Sequence, residues 1–142
     1  FITGLQMEVG SVATPFENRS FGEELALCQR YYQKKGAEQV YSVIGHGYNH
    51  TTDDAIIFVP LTPEMRAVPT LDHGTLSKIT VTDNDASREA IGTLTISTTD
   101  SRTGMASLNA ANITSDTLTA GEATSLVCNN DAAGYCAFIA EL

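Results

Sequence analysis

Apolar residues recur at helical spacing over one short stretch near the start of this chain of 142 residues. They fall at positions i, i+4, i+7 and i+11 and form one stripe: Phe21, Leu25, Cys28 and Tyr32. Ser20 and Glu23 have the spacing of a capping box, in which each side chain accepts a hydrogen bond from the other's backbone amide. Gly36 is a typical helix stop. The pattern predicts one helix from about residue 20 to residue 32, within a connecting segment 19–36, and its stripe is expected to pack in an oligomer.

After Gly36 the pattern changes to alternating or continuous apolar runs of strand length. Strands are predicted at residues 39–44, 55–61, 76–82, 91–97, 105–108, 113–117, 122–128 and 135–141. A single helical turn is predicted at 62–66, and the last two strands are expected to form a hairpin around 129–134. Short strands separated by Gly, Asp and Asn turns indicate an all-β domain, a β-sandwich or jelly roll over residues 37–142, preceded by one N-terminal α-helix.

The charge of the chain is strongly acidic and unevenly distributed. The formal net charge is −9; residues 1–36 hold four basic and four acidic side chains, whereas residues 37–142 hold four basic and thirteen acidic ones. Such a domain repels phosphate backbones, so we expect no nucleic-acid partner. No apolar run approaches the roughly 20 residues that span a bilayer, so we expect no membrane insertion. Because the chain starts at Phe1 without a signal-like segment, we expect this start to lie inside a longer polypeptide.

Three cysteines do not make a disulfide framework. Cys28 lies in the helical stripe and is expected to be a small buried apolar residue. Cys128 and Cys136 flank the predicted last turn, so they could form a disulfide across the hairpin. Alternatively, an intracellular site of assembly would keep both thiols reduced.

The most ligand-like cluster lies in residues 45–54, where His46, His50, Asp53 and Asp54 occur close together. The flanking glycines favour a loop, so the spacing of the two histidines does not place them on one helical face. We therefore expect an exposed polar turn, and the alternative is a metal shared between subunits on a symmetry axis. Tyr48 could stack on a sugar ring. The candidate ligand-binding residues are His46, Tyr48, Asn49, His50 and Asp53.

Catalytic motifs are absent from the sequence. There is no GxSxG elbow, no phosphate-binding P-loop and no GxGxxG, and no histidine has the context of a general base. A pair of glycosidase carboxylates would need only to be neighbours in space, and acidic turns are usually solvated. We predict no enzymatic activity, no catalytic residues, no metal and no cofactor.

The stretch TGLQMEVGSVATPFENRSFGEELALCQRYYQK, residues 3–34, is followed by MRAVPT at 65–70 and by FIAEL at 138–142. This ordered set of motifs resembles tail-fibre and other virion structural proteins of tailed bacteriophages. The resemblance is dense over the first quarter of the chain and sparse over the rest. It implies that residues 1–18 are the last strand and linker of an upstream domain, that 37–142 form a knob, and that the protein is a homotrimer located in the virion.

From this resemblance we expect the C-terminal knob of a tail fibre or spike that binds host-surface polysaccharide and contacts other virion proteins. Loops 45–54, 83–89 and 100–104 are the expected recognition elements. The alternative is a capsid decoration or cement protein that stabilises the head. An appendage that degrades glycans is the weakest of the three hypotheses. The sequence leaves open the type of appendage, the host receptor and the symmetry.

Overall fold

The computed structural model describes residues 6, 7, 9–12, 14, 15, 19–83, 88–113 and 118–141. It begins its regular structure with helix α1, Phe21–Gln29. The predicted capping box is confirmed: the Glu23 amide donates to Ser20 Oγ at 3.3 Å, and the Ser20 amide donates to Glu23 Oε2 at 2.9 Å. These hydrogen bonds to Ser20 lower the pKa of the Glu23 carboxyl.

The helix is shorter than its apolar stripe predicts. It ends at Gln29, and the chain from Tyr32 to Gly36 forms the first strand, β1. Gly36 therefore does not stop a helix. It ends β1 with φ +83°, where a Cβ would lie 2.6 Å from the Gly134 carbonyl oxygen. The helical period continued to Tyr32 by coincidence, because the backbone at 32–36 pairs with a strand from the other end of the chain.

Ten strands occur in the described parts of the chain. They are β1 (Tyr32–Gly36), β2 (Val43–Asn49), β3 (Ala55–Pro60), β4 (Thr70–His73), β5 (Ile79–Thr82), β6 (Arg88–Ala90), β7 (Thr93–Ile96), β8 (Met105–Ala111), β9 (Ala123–Cys128) and β10 (Tyr135–Ile139). A larger sheet has the order β6-β5-β9-β2-β3-β8-β7, and a smaller sheet has the order β1-β10-β4. All pairings are antiparallel.

The core joins both sheets. Ile57 on β3, Leu108 on β8 and Leu126 on β9 belong to the same buried cluster as Phe138 on β10, and each is 0 % exposed. Inward side chains alternate with outward ones along β3, as a sheet with one buried face requires. The all-β sandwich with a single preceding helix is thus confirmed. No helix in the described ranges has the length and apolar content needed to cross a membrane.

The predicted C-terminal hairpin is wrong, although both of its strands exist. Strand β9 lies between β5 and β2 in the larger sheet, whereas β10 lies between β1 and β4 in the smaller one. The connecting residues 129–134 carry the chain from one sheet to the other. The Asn129 amide donates to the Lys78 carbonyl at 2.9 Å, and the Ala37 amide donates to the Gly134 carbonyl at 2.7 Å. A turn-rich connection alone does not distinguish a hairpin from this crossover.

Three further local predictions differ from the structure. Residues 45–54 do not form one loop, because residues 45–49 belong to β2. Residues 62–66 form no helical turn, and the Thr62–Pro63 peptide bond is cis. The strand expected at 76–82 begins at Ile79 after a 3₁₀ turn, Leu76–Lys78. The upstream strand at 1–8 and the strand at 113–117 lie almost entirely outside the described residues.

Candidate functional site

The five predicted ligand-binding residues do not share one surface. His46 and Tyr48 project from the outer face of β2, where both are exposed. Asn49, the next residue, is completely buried because successive side chains of a strand point to opposite faces. His50 and Asp53 lie in the turn that follows. Only His46 and Tyr48 are therefore neighbours on an outward face in the way that the sequence predicted.

Asn49 is hydrogen-bonded to the turn at residues 119–122. Its Nδ2 donates to the Thr119 carbonyl at 3.2 Å, its amide donates to the Glu122 carbonyl at 2.9 Å, and its carbonyl accepts from the Gly121 amide at 2.8 Å. Its Oδ1 is buried without a hydrogen-bond partner in the described structure. These contacts explain Asn49 as a structural residue that positions the 119–122 turn.

His50 and Asp53 shape the turn between β2 and β3. The His50 amide donates to the Asp54 carbonyl at 2.8 Å, and Thr51 Oγ1 donates to Asp53 Oδ1 at 2.7 Å. His46 Nδ1 lies 2.9 Å from Ser125 Oγ on β9. Within the described ranges, no three His, Cys, Asp or Glu side chains lie together in a way that could hold a metal ion.

The outer face of the larger sheet carries an open concavity beside Tyr48. Its volume is about 320 Å³, and its lining consists of Tyr48, Ile56, Phe58, Asp100, Arg102, Met105 and Ser107. Tyr48 is 39 % exposed and Phe58 is 37 % exposed; their ring centroids are 6.4 Å apart with an interplanar angle of 37°. Two of the predicted recognition segments, 45–54 and 100–104, meet here. We call this hollow the aromatic concavity.

A smaller hollow adjoins the aromatic concavity and shares part of its lining. It has a volume of about 110 Å³ and is lined by Ile56, Ser97, Asp100, Ser107, Leu108 and Asn109. Ile56, Asp100 and Ser107 line both hollows. Asp100 therefore stands at the junction between them.

The charged groups of the concavity are held by the turn that precedes β8. Ser97 Oγ donates to Asp100 Oδ2 at 2.6 Å. Arg102 Nη1 donates to the carbonyl oxygens of Thr99 and Ser101, at 2.6 and 2.8 Å. Each charged side chain is thus fixed by polar groups of its own turn. The cation and the carboxylate line the same hollow as the aromatic pair and are held by contacts that need no ligand.

Gly45 and Gly47 of β2 lie where the backbone of β3 leaves no room for a Cβ atom. A Cβ at Gly45 would lie 2.8 Å from the Phe58 carbonyl oxygen, and a Cβ at Gly47 would overlap the Ile56 carbonyl oxygen. Glycine inside a strand often marks such a close approach of two backbones. The same glycines favour a loop when the sequence alone is considered, whereas Tyr48 lies on strand β2. Phe58 lies on the exposed face of β3, and the continuous apolar run 55–61 does not distinguish this residue from its buried neighbours.

The helix stripe forms a second exposed surface. Phe21 is 82 % exposed, Leu25, Cys28 and Tyr32 are exposed, and no residue of α1 is buried. Cys28 therefore corrects the expectation of a buried residue. We call Phe21, Leu25 and Cys28 on α1, together with Tyr32 at the start of β1, the helix stripe.

The other two cysteines are buried and free. Cys128 Sγ donates to the Gly134 carbonyl at 3.1 Å, and neither Cys128 nor Cys136 is in a disulfide. Burial, and to a smaller extent the neighbouring Cys128, raises the pKa of the Cys136 thiol to about 12. The Cys136 thiol is therefore neutral at ordinary pH, and both cysteines belong to the buried core.

No protein-family model, curated protein or solved structure matches this chain.

Proposed function

We propose that this domain is a virion structural protein of a tailed bacteriophage, the C-terminal knob of a tail fibre or spike, and that it binds host-surface glycan without catalysis. The aromatic concavity is the observation that carries the binding role. A sugar ring has an apolar face that packs on aromatic rings and hydroxyl groups that exchange hydrogen bonds with charged side chains. Concave sites with apolar walls and a few fixed polar groups are typical of ligand binding.

The binding role without hydrolysis is supported by the lining of the concavity. Glycoside hydrolysis generally needs two carboxyl groups on either side of the scissile bond. Asp100 is the single carboxylate among the described residues that line the two hollows. Asp100 can therefore hold a sugar hydroxyl, but it has no carboxylate partner in this lining.

The proposed assembly is a homotrimer joined through the helix stripe. An isolated helix shorter than about 12 residues is only marginally stable in water, and α1 has nine residues with no buried side chain. A second copy that covers Phe21 and Leu25 would supply the missing apolar contacts. In a cyclic trimer the three knobs would present three aromatic concavities to one surface, and weak sugar binding would gain avidity.

The alternative function is a capsid decoration protein, and the helix stripe also favours it, because an uncovered apolar helix could dock on a shell of virion proteins. Copy number separates the two functions. Quantitative mass spectrometry of purified particles should find at most a few tens of copies for a fibre knob. Hundreds of copies would favour decoration of the head.

Glycan-array binding by the purified protein tests the proposed function, with Tyr48→Ala as the site variant. We expect Tyr48→Ala to weaken binding to the preferred host polysaccharide by about tenfold or more, equivalent to about 1.4 kcal/mol. Tyr31→Ala is the matched control, because Tyr31 is exposed to a similar extent but lies next to the smaller sheet. Equal binding by Tyr48→Ala and the unaltered protein, or no glycan binding at all, would refute the proposal.

A further inference from the structure

We propose that the aromatic concavity selects uncharged pyranose sugars over acidic ones, and that Asp100 is the residue that makes the selection. This inference rests on the proposed glycan-binding function and specifies its ligand class. The argument follows from three observations: the position of Asp100 between the two hollows, the partners of Arg102, and the charge of the whole domain.

Asp100 lines both hollows, so a ligand that fills them has to contact its carboxylate. A carboxylate is an acceptor with about four lone-pair sites, and the Ser97 hydroxyl uses one of them. Sugar hydroxyls are donors that suit the remaining sites. A carboxylate on the sugar would face Asp100 with a like charge and no proton to donate.

Arg102 does not reverse this preference. Its Nη1 is bound to the carbonyl oxygens of Thr99 and Ser101, and its other N–H groups remain as donors for ligand oxygens, whether neutral or charged. The positive charge of Arg102 balances the negative charge of Asp100, so the pair adds no net attraction for an anion. The domain as a whole is strongly acidic, with a formal net charge of −9 for the chain, and repels anionic ligands on approach.

The sizes of the hollows suggest how the sugar lies. The larger hollow, about 320 Å³, is at the lower end of the range for ligand sites and has the Tyr48–Phe58 pair as its wall. The smaller hollow, about 110 Å³, has room for about three water molecules. The pyranose ring therefore lies against the aromatic pair, and an exocyclic polar group, a hydroxymethyl or an acetamido group, reaches past Asp100 towards Ser97 and Asn109.

Matched sugar pairs test the inference. The methyl glycosides of glucose, galactose and mannose each differ from the corresponding uronic acid only at the exocyclic carbon. Binding of all six, and of methyl N-acetylglucosaminide, is measured by saturation-transfer NMR and calorimetry at low and high salt. We expect the uncharged member of the preferred pair to bind about tenfold more tightly at low salt, with affinity that varies little with salt.

The variant Asp100→Asn keeps an acceptor for Ser97 but removes the negative charge. It should weaken binding of the uncharged sugar and strengthen binding of the matching uronic acid. The ratio of the two affinities should therefore fall to about twofold or less. Glu38→Gln, the loss of an exposed charge elsewhere, should leave the ratio unchanged. The inference is overturned if the uronic acid binds more tightly than the matching uncharged sugar, or if Asp100→Asn does not alter the ratio of the two affinities. Binding of host polysaccharide without binding of any uncharged pyranose overturns the inference but leaves the proposed function intact, whereas absence of all glycan binding removes both.

Discussion

The apolar residues of the sandwich are buried, whereas those of the helix are exposed. In the sandwich, Ile57, Leu108, Leu126 and Phe138 come from four strands and two sheets, and all are completely buried. In α1 the apolar residues are as regular in the sequence, yet none is buried. The sandwich therefore completes its own core within one chain. The helix has a good cap and an apolar stripe, but the described chain supplies no surface that covers the stripe.

This contrast teaches that local signals and tertiary packing are separate contributions to order. The capping box at Ser20 stabilises the start of α1 by satisfying backbone donors, and it operates without any distant contact. The strands have few local signals of comparable quality and depend on pairing between distant residues. Substitutions in the two regions should consequently differ in what they change: the free energy of unfolding in the sandwich, and the association state in the helix.

The largest expected effect is in the core. Leu108→Ala should lower the free energy of unfolding by about 2–5 kcal/mol, because the surroundings of a completely buried side chain cannot collapse fully into the space left behind. Denaturant titration followed by circular dichroism measures it. Thr95→Ala, at an exposed position of β7, is the control and should change stability by no more than about 0.5 kcal/mol. A loss below about 1 kcal/mol for Leu108→Ala would show that the two sheets do not share a tightly packed core.

An effect of intermediate size on the free energy of unfolding is expected at alkaline pH. The buried Cys136 keeps its proton to a pKa of about 12, whereas the same thiol in the unfolded chain ionises above about 9. The unfolded state therefore loses a proton that the folded state retains, and stability falls between pH 9 and pH 12, by at most about 1.4 kcal/mol per pH unit. Tyr135, whose pKa is raised chiefly by the charge of Asp72, adds to the loss at the upper end of the window.

Denaturant titrations at several alkaline pH values measure this dependence. Cys136→Ala should make the fall in stability between pH 9 and pH 12 less steep and leave the contribution of Tyr135, while Cys28→Ala, at an exposed position, is the control. An equally steep profile in Cys136→Ala would contradict the burial of this thiol.

The smallest expected effect on stability is in the helix. Leu25→Ala should change the free energy of unfolding of the sandwich by less than about 0.5 kcal/mol, because the side chain contributes nothing to the core. It should instead lower the oligomer mass measured by sedimentation velocity at micromolar concentration. Phe21→Ala should act in the same way. A protein that is monomeric before substitution, or a large loss of sandwich stability in Leu25→Ala, would break the comparison between the two regions.

Much of the candidate site was out of reach of sequence reasoning. The polar neighbours of Tyr48 and the turn residues at 100–104 indicate these two parts of the site in the sequence. Their meeting across β3 and β8 depends on the strand order, which no local pattern encodes. The sequence does not indicate Phe58, because a continuous apolar run looks the same whether one face or both faces of the strand are buried. Asn49 is a candidate ligand-binding residue if 45–54 is a loop, but it is buried because it ends strand β2.

The sequence by itself determined the start of the helix, the existence of most strands and the acidic character of the domain. These follow from contacts between residues a few positions apart and from simple sums of charge. Only the tertiary structure decided that the helix ends at Gln29, that β9 and β10 belong to different sheets, and that Gly47 lies inside a strand. Each of these depends on which distant backbone comes within hydrogen-bonding distance, and pairing energies between distant strands override the local preferences of the residues that are paired.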